Sequence, residues 1–96
     1  MANVPWISGS RYEFTQQNVD LSPDADGIYG LVRRDTKIYL GGGNIRDCLQ
    51  SRYRGGDPCI KREKPTDYYR EVCSDWKNRE KELIVAYDPI CNRRIG

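Results

Sequence analysis

The sequence predicts an α+β domain: a small three-stranded, mainly antiparallel sheet flanked by helices. Three observations lead there. Two short runs rich in β-branched and aromatic residues, Gly27 to Arg33 and Lys37 to Gly41, are separated by only three residues, the spacing of a hairpin. The elements then run hairpin, helix, strand, helix, without the regular alternation of a parallel sheet. Finally, 96 residues allow one domain, which buries little more than ~60% of its unfolded surface and so has a thin core.

The elements follow in order. Residues 1–26 read as a covering arm in which Trp6, Ile7, Tyr12 and Phe14 are apolar anchors and Thr15 caps one helical turn through Val19. Ser22-Pro23-Asp24-Ala25-Asp26 is turn chemistry that ends the arm. Residues 27–92 form the core. In its hairpin, Tyr29 and Tyr39 share a face only if paired residue numbers add to an even number. A two-residue turn at Arg34-Asp35 separates them; a three-residue loop, or a bulge with the same effect, brings them together, and that is the expectation. Gly41 to Gly43 break the strand. Asn44 caps a helix with Asp47 in its first turn, and Ile45, Cys48, Leu49 and Arg52 continue at helical spacing until Gly55-Gly56. Asp57 to Lys64 has room for a short helical turn. Asp67 to Cys73 alternates as a third strand, and Ser74 or Asp75 caps a helix from Trp76 to Tyr87 that Asp88-Pro89 closes. A short tail follows.

Charged residues make up 31% of the chain, yet the formal net charge is only +2. That balance excludes a histone-like polycation but permits a local basic groove. The arginines and lysines are dispersed among Arg33/Arg34, Arg46, Arg52/Arg54, Lys61, Arg62, Lys64 and Arg93/Arg94. No opening stretch resembles an export signal and no apolar run approaches bilayer length, so a soluble, cytoplasmic protein with no membrane partner is expected. In that setting the four cysteines, Cys48, Cys59, Cys73 and Cys91, are expected as free thiols. Zinc is not expected: there is no C-x-x-C pair and no histidine.

Glu80 is the position most informative for chemistry. It lies three, four and seven residues before Leu83, Ile84 and Tyr87, on the face that packs inward, whereas Glu82 points to solvent. A carboxylate there must be paired or bind a metal, and periodicity alone favours pairing with an arginine at the rim. Tyr29 and Tyr39 taken singly read as packing residues. The glycine run could admit a phosphate, although glycine-rich turns are common.

Taken together these positions resemble the GIY-YIG nuclease family, whose members include repair nucleases and homing endonucleases. Gly27-Ile28-Tyr29 matches the first motif, Tyr39-Leu40-Gly41 the second with Leu for Ile, and Asn44-Ile45 the pair that opens the first helix. Glu80, followed by Tyr87-Asp88-Pro89 and Asn92, is similar to the family's metal-binding glutamate, Tyr-x-Pro stop and closing asparagine. The resemblance implies hydrolysis of DNA phosphodiester bonds with one divalent ion, Mg2+ or Mn2+. It makes Glu80 the sole protein ligand, an arrangement suited to an ion that keeps several waters. Tyr29 would act near the attacking water as base or orienting group. Tyr39 would bond that water or the phosphate, and Asn92 would support the site.

One position departs from the pattern. The arginine that the family carries on its first helix falls at Cys48, and a neutral thiol supplies neither charge nor forked donors. Arg52, one turn further along the same face, and Arg46, near the helix start, are the two candidates to replace it. The resemblance thus implies an endonuclease of weakened activity, slow or structure-selective, with DNA as its partner. The alternatives are a non-catalytic nucleic-acid-binding module of the same fold, or a small interaction domain in which the tyrosines are only core.

Overall fold

A computed structural model describes residues 4–92. Arg93 and Arg94, and the end of the expected tail, lie outside them. Among the described residues no helix is long and apolar enough to cross a membrane.

The sheet is antiparallel and has four strands rather than three. They are β1 (Tyr12–Glu13), β2 (Asp26–Arg33), β3 (Thr36–Asn44) and β4 (Asp67–Val72), in the order β1-β4-β2-β3. The additional strand comes from the arm. Its two residues pair with Tyr68 and Asp67 and are too few to show a period of two. One strong punctuation signal behaves differently from expectation. The glycines do not break β3, which runs through Gly41–Gly43 to Asn44 and pairs there with Tyr29 back to Asp26. Register and a partner strand outweigh the low intrinsic strand preference of glycine.

The hairpin turn is two residues, Arg34-Asp35, with Arg33 paired to Thr36 and Arg34 left-handed at φ 55°. A bulge then restores the register. Val32 pairs with Lys37 but Leu31 pairs with Tyr39, leaving Ile38 as the extra residue. From there on Tyr29 faces Gly41, and both tyrosines lie on one side of the sheet, as the site reading requires.

Helices cover both faces. On one lie α1 (Gln16–Asp20), α2 (Ile45–Arg54) and α3 (Pro58–Glu63), and their Val19, Ile45, Leu49 and Ile60 pack with Tyr29, Leu31, Ile38 and Tyr68. Ile45 and Leu49 are fully buried, each contributing about 1.5–3 kcal/mol. Asn44 Oδ1 accepts from the Asp47 amide at 3.0 Å, and Gly55 ends α2 with φ 81°. Asp57 caps α3 through the amides of Cys59 and Ile60, with Pro58 at its first position. On the other face α4 (Trp76–Tyr87) packs Leu83 against Ile28, Leu40 and Ile7. Asp75 occupies its cap position without a capping hydrogen bond. Its carboxylate accepts from the Asn78 side chain instead.

The expectation of four free thiols is overturned. Cys59 at the start of α3 and Cys91 in the closing 3₁₀ turn (Ile90–Asn92) form a disulfide, with Cα atoms 5.6 Å apart. Both elements pack beside β3, which brings together cysteines 32 residues apart in sequence, within the span a disulfide needs. Cys48 and Cys73 are free.

Candidate active site at the glycine edge of the sheet

β3 is an edge strand, so its glycine run is where the two helical layers can meet. A Cβ at Gly41 would overlap the Tyr29 hydroxyl and ring, so the absent side chain makes the room in which that tyrosine lies. Gly43 has φ 127°, a conformation side chains rarely adopt, and it turns the strand into α2.

On the α2 side three side chains converge. Arg52 Nε donates to the Tyr29 hydroxyl at 3.2 Å, and its Nη2 donates to the Tyr39 hydroxyl at 3.0 Å. The guanidinium carbon lies 4.7 Å from the Tyr39 ring centroid, and the two rings are 6.1 Å apart. One planar fork thus holds both phenols. Cys48, one turn earlier on α2, points its Sγ at the Gly42 carbonyl, 3.7 Å away.

From the opposite layer, α4 brings Glu80 and Trp76 to Gly42. A Cβ on Gly42 would run into the Trp76 ring and come within 3.4 Å of Glu80 Oε2. Gly42 is therefore flanked by the Cys48 thiol and the Glu80 carboxylate. Glu80 is half-buried. Among the described residues no hydrogen bond or ion pair reaches it, and the adjacent Arg79 is engaged with Glu71 at 3.1 Å. The rim ion pair that periodicity favoured is absent there. Desolvation by burial raises the Glu80 pKa.

Burial dominates the other titrations. It holds the Tyr29 hydroxyl far above the ordinary phenol range, the Arg52 hydrogen bond opposing this only in part. It raises Tyr39 as well, with Arg52 opposing and Glu80 adding. The Cys48 thiol is pushed up by burial against the pull of Arg52, so it stays neutral beside Glu80. For Arg52, burial works against the charge, but the hydrogen bond to Tyr29 and the surrounding electrostatics outweigh it and keep the guanidinium charged.

The remaining candidates divide. Asn92 clamps β3: its Oδ1 accepts from the Leu40 amide at 2.7 Å and its Nδ2 donates to the Leu40 carbonyl at 2.9 Å, next to Tyr39 and Gly41. Arg46 is not brought to the tyrosines. Its Nε donates to the Ser22 carbonyl at 2.9 Å and ties α2 to the arm, so of the two replacement arginines only Arg52 meets them. Trp76 was not singled out from sequence. Its signal is an aromatic one helical turn before Glu80, on the same face.

The architecture is a GIY-YIG-like fold. It is similar to solved structures of the GIY-YIG N-terminal endonuclease domain of UvrC from Thermotoga maritima. A point-mutant form bound to its catalytic divalent cation matches with a TM-score of 0.74 and 21% identity, over 82% of this chain and 94% of that one. The magnesium-bound form gives 0.70 and 21%, over 81% and 94%. A further cation-bound point mutant gives 0.73 and 20%, over 81% and 94%. No protein-family model and no curated protein matches the sequence. At these identities the likeness establishes the fold, and the chemistry rests on this chain's own side chains.

Proposed function

We propose that residues 1–96 form one domain acting as a metal-dependent endonuclease on DNA, and that its site is the Tyr29, Tyr39, Arg52 and Glu80 cluster. The observation that carries this reading is Glu80: a half-buried carboxylate without a partner among the described residues, set beside the glycine edge and the arginine-held tyrosines. Its fold is one whose solved examples include an endonuclease domain bound to its catalytic divalent cation.

The residues fit one hard cation. No group of three or more metal-ligating side chains exists among the described residues. A single carboxylate suits magnesium, which keeps several waters and takes further oxygens from phosphate. Glu80 would hold such an ion, which would supply Lewis acidity to acidify a water and polarise a phosphoryl oxygen. The other roles belong to the protein. Burial favours the protonated Tyr29 phenol in the metal-free site, a form that would orient water or phosphate as a hydrogen-bond donor. Arg52 fixes both phenols through its fork and places positive charge where the phosphate oxygens gain negative charge, in the role Cys48 cannot fill. Asn92 holds the strand that carries Tyr39.

The neutral Cys48 supports a second reading, a nucleic-acid-binding module that does not cut. A plasmid-nicking assay separates the two. Low, magnesium-dependent nicking that EDTA and Glu80→Ala both remove is expected. Salt-dependent DNA binding with no nicking above the Glu80→Ala control would establish the binding module instead.

A further inference from the structure

Beyond the tyrosine cluster, the other side of Arg52 walls a cavity of about 230 Å³ between the end of α2, α3 and the arm. Its lining is unusual for so small a surface. Arg52, Arg54, Lys61 and Lys64 supply four cations, Phe14 and Tyr53 supply two aromatic rings, and no carboxylate lines it. Asp57, the acid that Arg52 and Tyr39 sense electrostatically, is occupied in capping α3. Among the described residues neither Arg54, Lys61 nor Lys64 forms an ion pair. All three are exposed.

The rings are fixed in place. Phe14 packs edge-to-face on Tyr53, with centroids 5.2 Å apart at 78°, and packs in turn on buried Tyr68 at 6.0 Å. Tyr53 nevertheless remains 39% exposed, a large aromatic surface uncovered at a cationic opening. Unpaired cations around a held aromatic ring suit a ligand with anionic groups and a planar π-face. A nucleotide has both. A base inside a duplex keeps its faces stacked on its neighbours, so only an unpaired nucleotide can present a face to Tyr53.

We propose that this cavity is a subsite for one unpaired nucleotide flanking the scissile phosphate. Tyr53 stacks on its base, and Lys61, Lys64 and Arg54 take the adjoining phosphates. The subsite rests on the endonuclease reading for its position, since Arg52 is the wall it shares with the tyrosine cluster. It makes the protein selective for flapped, bulged or single-stranded DNA over continuous duplex.

The test is a binding titration with EDTA present, so that affinity is read without cleavage. The probes are a DNA hairpin with a blunt end and the same hairpin with a short unpaired tail containing 2-aminopurine. Wild type is expected to bind the tailed hairpin more tightly and to quench the 2-aminopurine. Tyr53→Ala should weaken tailed binding by about 5- to 160-fold, remove the quenching and leave blunt binding unchanged. Tyr53→Phe should keep both signals, which separates loss of stacking from misfolding. Lys61→Ala and Lys64→Ala should each reduce the salt slope for the tailed probe by about 0.7. Equal affinity for tailed and blunt probes in wild type, or unchanged tailed binding in Tyr53→Ala, would overturn the subsite. Nicking with magnesium but no tail preference rejects the subsite alone. Tail-dependent quenching without nicking rejects the endonuclease reading alone.

Discussion

Replacing Arg52 with alanine removes three interactions at once, and their magnitudes can be separated. The Nε bond to Tyr29 is charge-assisted and ends on a buried hydroxyl, so its loss costs about 1.5–3 kcal/mol. The bond to the half-buried Tyr39 hydroxyl costs less, about 0.5–1 kcal/mol, because water can replace it. The cation–π contact adds about 0.5–1 kcal/mol. Relief of the guanidinium's own desolvation offsets part of the sum. A net loss near 2 kcal/mol is expected, lowering the thermal midpoint by about 8–16 °C in a domain this size and leaving it folded at room temperature. The effect on cleavage should be larger. Removing a preorganised donor aimed at developing charge costs about 10²–10³ in rate, or ~2.7–4 kcal/mol of barrier. Arg52→Lys sharpens the comparison: it keeps the charge but not the planar fork that reaches two phenols, so it should recover stability more than activity. Calorimetry gives the first quantity and magnesium-dependent plasmid nicking at 25 °C the second. If Arg52→Ala nicks as fast as wild type while its midpoint falls as stated, Arg52 is a strut and the charge comes from elsewhere.

Four further outcomes are expected. Glu80→Gln should lose the magnesium-induced shifts of amide resonances around Glu80 and Tyr29 that wild type shows; shifts that persist would place the ion elsewhere. Because burial raises the Glu80 pKa, its contribution to stability is greatest below the unfolded carboxylate pKa and is lost as pH rises through the folded value. In metal-free buffer, Glu80→Gln should therefore unfold later than wild type at neutral pH, and the two should converge in acid. Cys48→Arg should raise magnesium-dependent nicking by less than the ~10²–10³ of a fully vacant position, since Arg52 already holds both phenols; a folded, DNA-binding variant with no cleavage above the Glu80→Ala control would show a deficiency other than the missing arginine. Alkylation of the denatured, unreduced protein should label two thiols, Cys48 and Cys73, and four after reduction. Four labels without reduction would restore the fully reduced chain.

Much of this site was legible because its signals are local. Asn44 and Gly55 mark the ends of α2, and helical spacing places Cys48 and Arg52 on one face. The even register of the tyrosines was required by the site, but the device was open: Ile38 supplies it as a bulge behind a two-residue turn. What escaped was non-local. Two residues of β1 carry no periodicity, and their partner lies more than fifty positions away. The Cys59–Cys91 bridge depends on α3 and the closing turn both flanking β3, a placement that cysteine spacing does not encode. Arg46 and Arg52 are equally basic in sequence, and only the fold sends one to a carbonyl of the arm and the other to the phenols.

The clamp of Asn92 on Leu40 has a consequence away from chemistry. The outer edge of β3 has no neighbouring strand among the described residues, the kind of margin onto which a second chain can add a strand. At Leu40 both groups are already taken by one side-chain amide, which imitates a neighbouring strand for a single residue. The disulfide one position earlier anchors the segment that carries it. At the sheet's opposite margin β1 is only two residues long, too short a template for growth. The asparagine that steadies Tyr39 thus also occupies the backbone groups a strand from another chain would need at Leu40, beside the glycine margin of the candidate site.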